Sequence, residues 1–298
     1  MSELSGMVAI VTGSSSGIGE RTAQRLSELG AKVVVNSASS VEAGRKVADA
    51  LPGESHYVQA DISDKAQGEA LLAKTMDRFG RLDILVNNAG WTTVVPHGDL
   101  EALTDEIFRK TFEVNVFGTW WLTKAALPSL RNSPDPCVVN ITSIAGLRPV
   151  GSSIAYSMTK AALNQMTMLL AKSCGPVRIN AVAPGLVATP WTSDWDALHA
   201  AVAKSSPMRR SATPDDCAEA VLAPGGRTLA CRTGESEVRL YDAAGDTLDV
   251  RAREGFMLHC RAAYTWARAK RKSPRDHSLW SHCFSRVCGA VCCGDNSS

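Results

Sequence analysis

The sequence predicts an α/β fold, a doubly wound parallel sheet with helices on both faces. Three observations carry this. Short apolar runs alternate along the chain with segments of helical period. The first run feeds a glycine-rich turn, Thr12-Gly13-Ser14-Ser15-Ser16-Gly17-Ile18-Gly19, that opens a helix. Each strand is separated from the next by a helix-length segment, and such crossovers lay helices on a parallel sheet.

The elements follow in order. Residues 7–11 are continuously apolar, as in a strand buried on both faces. After the turn, Ile18, Ala23, Leu26 and Leu29 suit a helix packed on the sheet, and Gly30 suits its stop. Residues 32–36 form a second strand. Helical period returns around residues 41–51, and a third strand ends near Gln59-Ala60-Asp61. A helix then runs to Phe79 with Gly80 as its stop, and residues 84–86 form a fourth strand. Helices near 104–131 and 155–173 flank a fifth strand at 137–141, and residues 177–182 form a sixth.

The chain has 298 residues, 45% apolar and 21% charged, with a formal net charge of +2. That supports a substantial core and gives no indication of a nucleic-acid or membrane partner. No apolar run reaches the length of a membrane helix. The first six residues lack the basic segment of a secretory signal, so a cytoplasmic location is expected. The averages hide a split. Residues 1–223 hold 20 Lys and Arg against 22 Asp and Glu, whereas residues 224–298 hold 12 against 8 and six of the nine cysteines.

Tyr156 and Lys160 stand four apart, hence on one helix face. A nearby ammonium stabilises a phenolate that otherwise forms near pH 10, so the pair suits acid/base work. Alone, this spacing also describes a solvated surface pair. Behind a glycine-rich strand-to-helix turn it is far more specific. Gly13, Gly17 and Gly19 let the backbone approach a ligand, and the helix N-terminus favours an anion. The spacing G-x-x-x-G-x-G is a variant of the dinucleotide fingerprint; a tight turn without a ligand is the other reading. Asp61 is placed to accept from an adenine amino group or to cap a helix, although Ser63 or Asp64 suits the cap better. The second strand ends in Asn36-Ser37-Ala38-Ser39-Ser40, with no acidic residue to pair with a ribose 2′-hydroxyl. Its small polar groups leave room and donors for a 2′-phosphate. NADP is therefore expected, and NAD stays open because no arginine stands at this turn.

With these residues in view, the chain resembles the classical short-chain dehydrogenase/reductase family, and within it the 3-oxoacyl-carrier-protein-reductase-like group. The matching residues, in order, are the turn at residues 12–19, Asn87-Asn88-Ala89-Gly90, Asn115, Ser143, Tyr156, Lys160, and Pro184-Gly185 with Thr189 beyond. The resemblance implies a Rossmann fold and an oxidoreductase that interconverts a carbonyl and a secondary alcohol with NADP(H). It implies a catalytic set in which Tyr156 exchanges the proton, Ser143 holds the substrate oxygen, and Lys160 lowers the tyrosine pKa and binds the nicotinamide ribose. Asn115 would hold a water linking Lys160 to solvent. Implied cofactor contacts in the turn are Gly13, Ser15, Ser16, Gly17, Ile18 and Gly19. Further along they are Asn36, Ser37, Asp61, Ile62, Asn88, Ala89 and Gly90, then Tyr156, Lys160, Pro184, Gly185, Val187 and Thr189.

Trp91, Leu147, Val150, Trp191 and Trp195 fall on loops that border the substrate cleft in that family. They suit an apolar ketone or ring substrate, or else ordinary packing. A carrier-protein partner would need a basic patch, for which Lys124, Arg131 and Arg148 are scattered candidates. The resemblance also implies a homodimer or homotetramer through the helices near 104–131 and 155–173. Two rival readings stand beside the main one: an NAD-dependent alcohol, sugar or steroid dehydrogenase, and a catalytically impaired dinucleotide-binding sensor or interaction protein.

The family pattern breaks near the end. Residues 214–223 suit its last helix, but Pro224-Gly225-Gly226 cuts the helix short, and Asp242-Ala243-Ala244-Gly245 replaces the usual ending. Residues 1–245 are therefore expected to form one catalytic domain, and residues 246–298 a basic, cysteine-rich, mobile tail without helix or strand period. His277, His282, Cys283, Cys288, Cys292 and Cys293 lack paired C-x-x-C spacing, so no metal site is expected. Disorder or an out-of-frame extension accounts for such a composition.

Overall fold

Six short strands assemble side by side, five of them buried along most of their length and the edge strand at Ser55–Gln59 only at Val58. They are β1 (Val8–Val11), β2 (Lys32–Ser37), β3 (Ser55–Gln59), β4 (Ile84–Asn87), β5 (Cys137–Ile141) and β6 (Arg178–Val182). In the computed structural model they form one parallel sheet in the order β3-β2-β1-β4-β5-β6. The described residues are 4–206 and 209–222, plus the backbone of two strands, Val238–Tyr241 and Thr247–Val250. Register is set at the centre, where Val11 stands opposite Val35 on one side and Val86 on the other.

The two faces carry separate cores. On one, α1 (Gly17–Glu28), α2 (Val41–Ala50) and α8 (Pro214–Leu222) pack on Ala9, Val11, Val33 and Val86 through Leu26, Val47 and Val221. On the other, α3 (Lys65–Phe79), α5 (Thr119–Leu130) and α6 (Ile154–Ser173) pack on Ile10, Val34, Leu85 and Val138 through Leu71, Leu122 and Ala171. Ala9 and Val11 point one way and Ile10 the other, as strand alternation requires. Two further helices, α4 (Asp105–Phe112) and α7 (Asp196–Ser205), complete the set. Asp64 caps α3 by accepting from Ala66 N and Gln67 N, and Gly80 ends that helix at φ 72°.

Asp83 is the polar anchor of the sheet. It is fully buried, accepts from Val8 N at 2.8 Å, and is held by Arg81 and Ser133. Burial pushes its carboxyl up, and these hydrogen bonds outweigh burial and hold it below the usual range.

The helix expected near 104–131 is interrupted. Between α4 and α5, residues Glu113–Gly118 form a π-helical segment. Gly118 presses against Ile62, whose carbonyl oxygen would lie 2.7 Å from a Cβ at that position. Asn115, one turn earlier, is held from outside the helix, as described below. Near the other end, Val238–Tyr241 (β7) and Thr247–Val250 (β8) pair antiparallel as a separate two-stranded sheet. The expectation of no strand period beyond residue 245 is corrected for these four residues. The sequence Thr247-Leu248-Asp249-Val250 alternates polar and apolar residues, which is a strand signature. The rest of 246–298, with its histidines and cysteines, lies outside the described residues. Among the described residues no group of three or more His, Cys, Asp or Glu is arranged to hold a metal, and no helix is long and apolar enough to cross a membrane.

Candidate active site

Strand order reverses between β1 and β4, and in open α/β sheets ligands bind outside the carboxyl ends at that point. A cavity of about 1250 Å³ lies there. The sequence-predicted residues gather on it with two exceptions. Gly13, Ser15, Ser16, Gly17, Ile18, Asn36 and Ser37 line it, as do Asp61, Ile62, Asn88, Ala89, Gly90, Ser143, Tyr156, Lys160, Pro184, Gly185, Val187 and Thr189. Gly19 and Asn115 stand behind the wall.

The glycine turn is shaped for close approach. Gly13 has φ 61°, and a Cβ there would lie 2.8 Å from Ala89 Cα. At Gly19 a Cβ would lie 2.5 Å from Asn88 Nδ2. That amide donates to the Thr12 and Gly13 carbonyls, tying β4 to the turn. Ser16 caps α1 without a side-chain hydrogen bond, so no side chain takes the first-turn N–H groups. An uncapped twelve-residue helix, backed by a turn that admits no side chain at Gly13 or Gly19, fits a diphosphate.

Three of the cofactor-side residues are more engaged than spacing suggested. Asn36 is buried. Its amide donates to the Val58 and Ala60 carbonyls and accepts from Gly13 N, so it braces the turn rather than presenting a donor. The Ser37 hydroxyl bonds to Tyr57 Oη at 2.8 Å and donates to the Ser40 carbonyl at 3.0 Å. Asp61 accepts from both the backbone and the hydroxyl of Ser63.

The catalytic candidates are delivered by three elements. Ser143 follows β5 and caps a 3-10 turn, Ile144–Gly146, by accepting from Ala145 N; its hydroxyl also reaches the Pro184 carbonyl at 3.5 Å. Tyr156 lies in the first turn of α6, which Ser153 caps. Lys160 is buried one turn on, donates to the Ile141 carbonyl at 2.9 Å, and stands 5.5 Å from the Tyr156 ring centroid. Asn115 accepts from Trp91 N at 2.7 Å and donates to the Trp91 carbonyl and Thr159 Oγ1. Its side chain therefore clamps the loop after Gly90 to α6. Sequence reasoning missed Gly146, where a Cβ would lie 2.5 Å from the Lys160 carbonyl carbon. It also missed Thr159, which carries no motif of its own.

Burial shifts both ionisable groups toward their neutral forms. Burial pushes Tyr156 up to about 12, against a hydrogen bond with Ser143 that pulls it down. Burial pushes Lys160 down to about 8. The Lys160 amine is turned to the Ile141 carbonyl, and the hydrogen bond from Ser143 is what pulls the phenol down here.

Of the loop residues, Trp91, Val150, Trp191 and Trp195 line the cavity; Leu147 does not, and neither do Lys124, Arg131 or Arg148.

Comparison with known proteins agrees with this geometry. A family model described as short chain dehydrogenase matches residues 7–199. A Streptomyces violaceoruber protein that carries the name ketoacyl reductase 2 of the granaticin polyketide synthase is 52% identical over 221 residues, covering 72% of this chain and 88% of its own length. A 3-oxoacyl-[acyl-carrier-protein] reductase from Synechocystis sp. is 36% identical, covering 73% of this chain and 88% of that protein. Among solved structures, levodione reductase superposes with a TM-score of 0.68 at 30% identity, covering 74% of this chain and 90% of its own. Sequence motifs, strand order and these relatives agree, and the chain belongs to the short-chain dehydrogenase family of oxidoreductases.

Proposed function

We propose that the chain interconverts a ketone and a secondary alcohol with NADP(H), with reduction the direction its resting site favours. The observation that supports this best is the convergence of Ser143, Tyr156 and Lys160 on the cavity that the glycine turn also lines. The turn and the uncapped start of α1 would hold the diphosphate, and Asn88-Ala89-Gly90 with Lys160 would border the nicotinamide ribose. When bound, the dinucleotide supplies the hydride.

The remaining work falls to the protein. Tyr156, protonated at neutral pH, donates to the carbonyl oxygen as that oxygen gains charge. The Ser143 hydroxyl donates to the same oxygen and holds the carbonyl in line with the phenol. Lys160, near its titration point, takes part in reprotonating Tyr156. Asn115 keeps α6 and the Trp91 loop in register.

NADP is preferred in this reading because the Ser37 turn has no carboxylate to repel a 2′-phosphate. The NAD-dependent reading keeps two observations in its favour: the Asn36 amide is occupied, and no arginine among the described residues lines the cavity.

Oxidation of NADPH against a panel of ketones tests the activity, and Tyr156→Phe tests the mechanism. The variant keeps the shape and loses the only acid hydroxyl proposed. Turnover should fall at least about a hundredfold with cofactor affinity little changed. A variant that turns over near the wild-type rate would overturn the assignment.

A further inference from the structure

We propose that Tyr57 sets cofactor choice from behind the site: it acts through Ser37 as a positioning residue and biases the site toward a 2′-phosphate. This rests on the NADP reading above and deepens it, since Tyr57 belongs to no motif and does not line the cavity.

The edge strand delivers it. β3 pairs with β2 so that Tyr57 stands opposite Val35 and Gln59 opposite Ser37. Strand alternation puts Tyr57 and Gln59 on one face and Val58 on the other, in the core that α3 joins. Both polar tips then reach the turn after β2. Gln59 Nε2 donates to the Ala38 carbonyl at 3.0 Å, and Tyr57 Oη meets Ser37 Oγ at 2.8 Å. The ring has its place because residue 44 of α2 is glycine, where a Cβ would lie 2.2 Å from Tyr57 Cε2.

Counting protons gives the bond its direction. Ser37 has one hydroxyl proton, and it goes to the Ser40 carbonyl at 3.0 Å. Tyr57 is therefore the donor to Ser37. A hydroxyl that accepts a hydrogen bond is polarised into a stronger donor, and it has one lone pair fewer to offer as an acceptor.

The two dinucleotides ask opposite things of that hydroxyl. A 2′-phosphate accepts and needs donors, whereas a ribose 2′-hydroxyl can itself donate. Ser37 would meet a phosphate by turning its proton away from the Ser40 carbonyl while Tyr57 still holds its oxygen. Asn36 has no donor to add, because its amide is taken by the Val58 and Ala60 carbonyls, and no arginine among the described residues lines the cavity. Discrimination falls to hydroxyls. Ser39 and Ser40 are exposed, and Ser37 is buried, where a hydrogen bond counts for more.

Calorimetry of NADP+ and NAD+ binding to wild type, Tyr57→Phe, Ser37→Ala and the double variant tests this. Tyr57→Phe keeps the ring against Gly44 and removes only the hydroxyl. It should lower the ratio of the NAD+ to the NADP+ dissociation constant by about threefold. In the Ser37→Ala background the same change should leave the ratio as it is, because the partner through which Tyr57 acts is gone. An unchanged or raised ratio in Tyr57→Phe overturns the proposal; loss of packing alone would give this result, weakening both dinucleotides alike. An equal fall in both backgrounds overturns it too, since Tyr57 would then act without Ser37. If wild type binds NAD+ more tightly, the NADP reading fails, while the direction of the shift still decides the role of Tyr57. Binding of neither dinucleotide overturns both.

Discussion

Lys160 is a buried amine with a single carbonyl partner, and its cost can be read from pH. Its pKa is about 8 in the folded chain against an ordinary 10.5. The unfolded chain therefore binds more protons between those values, and stability rises with pH across that window. Below pH 8 the full penalty is present, about 3 kcal/mol. Denaturant titrations of wild type and Lys160→Met should show the wild type gaining by roughly that amount between pH 7.5 and 10.5 relative to the variant. Parallel pH profiles would refute the buried ammonium. Tyr156 has the opposite sign: its raised pKa contributes stability that is lost as pH rises from about 10 to about 12. Ser37 is the residue for cofactor choice. Wild type should prefer NADPH to NADH in kcat/KM, and Ser37→Asp should reverse the preference through charge repulsion and a new ribose hydrogen bond. The added carboxylate keeps Tyr57 as a donor, so the turn has a partner for it. A wild type that prefers NADH would sink the NADP reading. The main site residues were legible because glycine, tyrosine and lysine spacing encodes geometry directly. The engagement of Asn36 was not, because its partners, Val58 and Ala60, come from a neighbouring strand that spacing does not show.

At the scale of elements, strands and helix stops were legible wherever local chemistry decides them. Gly30 and Gly80 end their helices with positive φ, and Asp64 caps α3. The interruption between α4 and α5 was hidden, because a single wide turn leaves the apolar period almost intact. Long-range contacts made it: Asn115 is tied to Trp91 and Thr159, and Gly118 to Ile62. Gly146 was hidden for the same reason, since its importance lies in α6 passing over it. Gly146→Ala should cost about 1–3 kcal/mol by overpacking. It should also lower kcat, since the 3-10 turn that carries Ser143 must move away from Lys160 to admit the methyl group. Thermal unfolding with steady-state kinetics checks both, and a fully active, fully stable variant would show that the contact relaxes freely.

For the whole molecule, a parallel sheet covered on both faces follows from alternation and handed crossovers, whereas the reversal of strand order between β1 and β4 is not written in local pattern. Assembly depends on surface the fold leaves uncovered. Phe117, Trp120, Met158 and Leu169 are exposed on the π segment, α5 and α6, and Phe117 stacks on Trp121. A symmetric homo-oligomer through these helices should give at least a dimer by light scattering at micromolar concentration, and Trp120→Glu should shift it toward monomer. A monomeric wild type would contradict the proposal. The wide turn at Glu113–Gly118 adds a constraint of another kind, on chain length. One residue more or fewer in a helix turns everything beyond it by about 100° and slides it about 1.5 Å. Deleting a single residue here would leave every motif legible in the sequence. Yet it would swing Trp120 off the exposed face or pull Asn115 from its clamp, since the two cannot both keep their places. Divergence in this segment is therefore restricted to exchange of side chains, and a shift in spacing between Asn115 and Trp120 would mark a protein whose site and assembly had been rebuilt together.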